Sequence, residues 1–145
     1  MHREILVIDD NPDIRSLLSS ILKEQNFILR TAANYDQAVF EIEKKLPDLA
    51  IIDIKLDKPD KDGIDILKLV NKKNKFTPVI MISGHATVSI AVEATRLGAY
   101  EFIEKPFSKE KILNYVKRGL ESFELKKEKD IIENKLFHSF ELIGK

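Results

Sequence analysis

A set of short apolar runs, each stopped by a polar residue, constrains this chain most. Ile5-Leu6-Val7-Ile8 ends at Asp9-Asp10, Leu49-Ala50-Ile51-Ile52 ends at Asp53, and Pro78-Val79-Ile80-Met81-Ile82 ends at Ser83. Runs this short, with many β-branched residues and no polar alternation, predict strands covered on both faces. Between them the apolar spacing becomes helical: Ile14, Leu17, Leu18, Ile21 and Leu22 follow Asn11-Pro12, a suitable N-cap and first helical residue. The alternation continues, giving strands at 5–8, 27–31, 49–52, 78–82 and 100–104 and helices at 12–25, 34–45, 63–74, 87–97 and from 108 onward. Pro78 stands at a first strand position, where a missing donor is tolerated, and Gly98 suits the left-handed residue that ends a helix. Alternating strands and helices with short connections predict an α/β fold, a parallel sheet with helices on both faces. Rossmann-like and flavodoxin-like strand orders both satisfy this pattern.

Length and composition narrow the function. The 145 residues suit one domain, and 24 basic against 24 acidic residues leave no cationic excess with which to grip nucleic acid. With no Cys there is no disulfide, no thiolate zinc site and no thiol nucleophile. The apolar run at 5–8 is too short for a signal peptide or membrane span, so a cytoplasmic location is expected.

In open α/β sheets reactive groups gather at the carboxyl ends of the strands. Here those ends carry Asp9 and Asp10, Asp53, Ser83 and Lys105. Three carboxylates converging in a partly buried cleft repel one another unless a cation offsets them, and an all-oxygen donor set suits Mg²⁺. Lys105 and Ser83 supply a charge and a hydroxyl for phosphoryl oxygens, which makes Asp53 the candidate nucleophile for an aspartyl phosphate. A charged, Pro- and Gly-punctuated loop, 55–63, follows the third strand at this same edge. His2, His85 and His138 lack a second His or a Cys at ligand spacing.

The segments ILVIDDNPDIRSLL, LAIIDIKL, PVIMISGHA and AYEFIEKPF occur in the order found in receiver domains of two-component response regulators, and residues 3 to about 120 resemble that family. The resemblance implies a flavodoxin-like (βα)5 doubly wound fold with strand order 2-1-3-4-5. It implies Asp53 as phosphoacceptor, and Mg²⁺ or Mn²⁺ bound by Asp9, Asp10, Asp53 and the backbone carbonyl of Lys55. It also implies Ser83 and Lys105 as phosphoryl-binding groups, Ser83 and Phe102 as the switch pair, and a cis bond at Lys105-Pro106. Phe102 stands where Tyr is often found, which favours inward burial of the ring. The loop after Asp53 is two residues longer than the usual family form. A histidine kinase is the implied phosphodonor. The implied dimer surface, on the fourth helix, fifth strand and fifth helix, comprises Ala91, Ala94, Tyr100, Glu101, Val116, Leu120 and Phe123. The resemblance implies a signalling domain and not an enzyme. A metal-dependent phosphohydrolase using Asp53, or a receiver-fold interaction module never phosphorylated, is the alternative. A nucleotide-binding Rossmann domain fits less well, because the turn Asp9-Asp10-Asn11-Pro12 has no glycine to admit a pyrophosphate.

Beyond Arg118 the sequence turns charged (ELKKEKD at 124–130), yet Ile112, Val116, Leu120, Phe123, Ile131, Ile132 and Leu136 extend an apolar spacing that predicts one helix to about 136. Gly119 is the point at which it would otherwise break. Glu133-Asn134-Lys135-Leu136 and Glu141-Leu142-Ile143-Gly144 resemble the nitrogen-regulation branch, NtrC/NtrX type. In that branch the second segment opens an ATPase domain acting on sigma-54 polymerase. The expected division is therefore a receiver over 1–120, then a helical linker and the first ATPase residues over 121–145, with DNA contact left to parts beyond.

Overall fold

The computed structural model describes residues 3–85 and 87–143; within the last helix the side chains at 127, 130 and 133–143 are outside the described set. His2, the side chain of His138 and the Gly144-Lys145 end of the second tail segment therefore lie outside it. Five strands alternate with five helices: β1 Glu4–Ile8, α1 Pro12–Lys23, β2 Ile28–Ala32, α2 Tyr35–Lys44, β3 Leu49–Asp53, α3 Gly63–Lys73, β4 Val79–Ser83, α4 Val88–Arg96, β5 Glu101–Glu104 and α5 Lys109–Ile143. All pairings are parallel, in the order β2-β1-β3-β4-β5, which selects the flavodoxin-like arrangement.

Strand alternation divides the core. Leu6, Ile8, Ala50, Ile52, Val79 and Met81 face the side covered by α2, α3 and α4, whereas Ile5, Val7, Leu49, Ile51, Ile80 and Ile82 face α1 and α5. β1, β3 and β4 are thus covered on both faces, as their unbroken apolar runs require. Side chains start the helices: Asn11 accepts from Asp13 N (2.8 Å) and Ile14 N (3.3 Å), Asn34 from Gln37 N (2.8 Å), and Thr87 from Ile90 N (3.2 Å). α4 ends at Gly98, which adopts φ +106. Beside it, Asn71 Nδ2 of α3 donates to the carbonyl of Leu97.

α5 runs unbroken through Gly119, and its 35 residues span about 52 Å at 1.5 Å each. Gly119 serves close packing and does not break the helix: a Cβ there would lie 3.1 Å from Leu49 Cδ1 and 3.4 Å from Pro78 Cβ, so its absence lets α5 approach the sheet. Further along, Arg3 pairs with Glu124 at 2.6 Å, tying the extended helix to the start of β1. No helix among the described residues is long and apolar enough to cross a membrane.

Candidate functional site

At the carboxyl edge of the sheet, β1 delivers Asp9 and Asp10, β3 delivers Asp53 and β4 delivers Ser83. Carboxylate oxygens of Asp9, Asp10 and Asp53 lie within 4.8 Å of one another, with Asp9 fully buried, Asp53 buried and Asp10 exposed. Lys105, just past β5, sends its ammonium between two of them, 3.0 Å from Asp9 Oδ2 and 3.1 Å from Asp53 Oδ2. The Lys105-Pro106 bond is cis, as the resemblance implies.

Burial of Asp53, followed by the charge of Asp9, raises its pKa from the usual 3.8 to about 6, against the opposing pull of Lys105. Burial lowers the Lys105 pKa, but the carboxylates of Asp9 and Asp53 outweigh it and the net direction is up. The ammonium therefore stays charged in neutral solution. A compact all-oxygen cluster that holds one acid partly protonated and draws in a lysine lacks positive charge, and its donor chemistry fits a hard divalent cation.

Local backbone bonds fix these groups. Asn11 N donates to Asp9 Oδ1 (2.9 Å), Lys55 N to Asp53 Oδ1 (3.3 Å) and His85 N to Ser83 Oγ (3.1 Å). The long loop after β3 closes where Gly63 N donates to the carbonyl of Ile54 at 2.6 Å. It is clasped to α2: Asp57 Oδ1 accepts from Tyr35 N (2.9 Å), Lys58 pairs with Asp36 (3.4 Å), and the ammonium groups of Lys58 and Lys61 lie 5.9 and 5.7 Å from the Tyr35 ring centre. A cavity of about 350 Å³ opens along this loop, lined by Lys55, Leu56, Asp57, Lys58, Pro59 and Asp62.

Asp9, Asp10, Asp53 and Lys105 converge as the sequence predicts, and Ser83 is buried at the neighbouring strand end. The Phe102 ring is half-buried and packs against the cluster under α2, α3 and α4. His85 is exposed. The expected dimer surface needs correction. Ala94, Val116 and Leu120 are core residues, because the phase of α4 turns Ile90 and Ala94 inward and that of α5 turns in Ile112, Val116 and Leu120. Ala91, Tyr100, Glu101 and Phe123 are half-buried, and the apolar side chains that α4 presents to solvent are Val88 and Val92. Sequence reading also missed Gly63 as part of the site. A Cβ at 63 would lie 2.1 Å from the Asp53 carbonyl oxygen, a contact between segments that only the fold reveals.

Among known proteins, the model of the response regulator receiver domain matches residues 5–117. The chain belongs to the response regulator receiver domain family. The nitrogen assimilation regulatory protein NtrX of Azorhizobium caulinodans is 39% identical over 128 residues, covering 88% of this chain and 28% of that protein. The crystal structure of the receiver domain of NtrX from Brucella abortus superposes with TM-score 0.75 at 42% identity, covering 81% of this chain and 98% of that one. The beryllofluoride-activated NtrC4 receiver domain dimer superposes with TM-score 0.76 at 36% identity, covering 83% and 98%. The chain spans about 30% of the length of the curated relatives it matches.

Proposed function

We propose that this chain is the phosphorylation switch of an NtrC/NtrX-type regulator, with Asp53 as phosphoacceptor. One observation carries the reading: a buried carboxylate at the end of β3 lies between two further carboxylates and a lysine ammonium. In this reading Asp9, Asp10 and Asp53, with the backbone carbonyl of Lys55, hold Mg²⁺ or Mn²⁺. When bound, that ion supplies positive charge for the phosphoryl oxygens.

An ionised Asp53 oxygen attacks the phosphorus of a phosphohistidine on the kinase. A P–O bond forms, the P–N bond breaks, and the imidazole leaves with its electron pair and takes up a proton from solvent. Lys105 turns from the carboxylates to a phosphoryl oxygen, and Ser83 donates its hydroxyl to another. Drawing Ser83 toward the acceptor clears space for the Phe102 ring, and the surface of α4, β5 and α5 changes with it. The partners are a sensor histidine kinase and a second copy of the chain. In the full-length regulator the signal reaches DNA and sigma-54 polymerase through other domains. The reading gives residues 1–120 the switch and 121–145 the link to the ATPase domain, within the cytoplasm.

Incubating parent chain and Asp53→Ala with labelled acetyl phosphate and Mg²⁺ tests the assignment. Label should enter the parent and not the variant; undiminished labelling of the variant overturns it.

A further inference from the structure

Of the three clustered carboxylates, Asp10 is the exposed one, and its side chain has no partner among the described residues. The backbone that carries it therefore sets the point from which this side chain starts, and so which rotamers bring its carboxylate to Asp53. On one side that backbone is anchored by the sheet, where Asp9 N donates to the carbonyl of Ala32 at 3.2 Å. On the other it is held by a side chain from α1: Arg15 Nη1 donates to the carbonyl of Asp9 at 2.7 Å. That carbonyl belongs to the peptide joining Asp9 to Asp10. Arg15 is half-buried, its own N–H donates to the Asn11 carbonyl (3.1 Å), and its guanidinium forms no ion pair with an acid among the described residues.

From this arrangement we infer that Arg15 is a positioning residue for the cation site: its guanidinium fixes the Asp9–Asp10 peptide so that the Asp10 carboxylate faces Asp53. The inference rests on the metal-binding reading of the cluster. A charged donor on a peptide carbonyl is strong and directional, and a planar guanidinium presents its N–H groups in a rigid fork that few side chains match. The charge of Arg15 acts in the opposite sense. A positive group one peptide from the site repels an incoming cation, so removing charge alone would tighten Mg²⁺ binding. Loss of positioning would weaken it, and the sign of the change separates the two roles.

The chain has no Trp, so Mg²⁺ binding is best followed by titration calorimetry with the metal alone. Arg15→Gln should raise the Mg²⁺ dissociation constant about tenfold, roughly 1.4 kcal/mol. Arg15→Lys, which keeps the charge and can still donate but lacks the planar fork, should fall between variant and parent. Urea unfolding is run on all three chains; if Arg15→Gln does not fold, Arg15→Lys carries the test, and a weaker constant in a folded variant supports positioning. An unchanged constant overturns the inference, even with a loss of stability, since Arg15 would then only brace the helix. A tighter constant overturns it too, by leaving charge repulsion as the whole effect. A parent chain that binds no Mg²⁺ overturns the reading of the site itself, whereas a binding parent with an equally binding Arg15→Gln overturns the positioning role alone.

Discussion

Asp53 is buried beside a second, fully buried carboxylate, and that placement couples its proton to folding stability. Its pKa is raised above the unfolded value, so the group contributes stability fully below about pH 3.8 and loses that contribution as pH rises through about 6. The interval corresponds to about 3 kcal/mol. Asp53→Asn keeps the shape of the neutral acid and cannot ionise. In urea unfolding without metal the variant should therefore exceed the parent at pH 7.5, with the gap closing toward pH 5. A gap equal at both values would show that Asp53 ionisation carries no such cost. The same proton competes with a cation: below about pH 6 the apparent Mg²⁺ affinity of the parent should fall steeply, toward tenfold per pH unit, in calorimetric titrations. Asp9, Asp10, Asp53, Ser83 and Lys105 were legible in the sequence because each stands at or just past the carboxyl end of a strand that the apolar pattern predicts. Arg15 and Gly63 were not, since each acts on another segment's backbone and neither leaves a periodic trace.

Among the elements, the loop between β3 and α3 departs most from the short connections elsewhere. Its charged composition is legible, but its shape is not. Asp57 caps the first residue of α2, two lysines flank Tyr35, and Gly63 N closes onto the Ile54 carbonyl, all pairings between segments distant in sequence. Gly63 is where the loop turns back past Asp53. A methyl group there would meet main-chain atoms at 2.1 Å, and a backbone cannot yield as a flexible side chain can. Gly63→Ala should therefore cost about 3 kcal/mol, the upper end for overpacking, and weaken Mg²⁺ binding by displacing Asp53. Urea midpoints and calorimetry on the variant check both, and a parent-like midpoint would contradict the contact. α5 reverses the case: its length was legible from apolar spacing, but Gly119 was ambiguous, because a helix-weakening residue and a close-approach residue look alike until Leu49 and Pro78 are seen against it.

Across the whole molecule the strand alternation that fixes two core faces also decides which side chains are left outside. Fold class and helix order follow from apolar runs and periodicity; which residues of α4 meet solvent depends on the helix's rotation on the sheet, which composition does not specify. With Ala94 buried, Val88 and Val92 stand one turn apart on the outer side of α4, 82% and 59% exposed. Apolar side chains this exposed, on an element tied at its far end by Asn71, suit a symmetric contact with a second copy once the switch has acted. Four such valines across a twofold interface, at roughly 1.5 kcal/mol each on full burial, contribute at most about 6 kcal/mol. Replacing both with Asp should therefore raise the dimer dissociation constant by as much as about ten-thousandfold, given tenfold per 1.4 kcal/mol. Light scattering on the chain with beryllofluoride and Mg²⁺ should show a mass near twice the monomer for the parent and the monomer mass for the Val88→Asp, Val92→Asp double variant. The double variant should still take up label from acetyl phosphate, because neither valine lies among the site residues. A double variant that dimerises at the parent's concentration would remove α4 from the interface and leave Leu125, Ile131 and Ile132, exposed along the far part of α5, as the apolar contact.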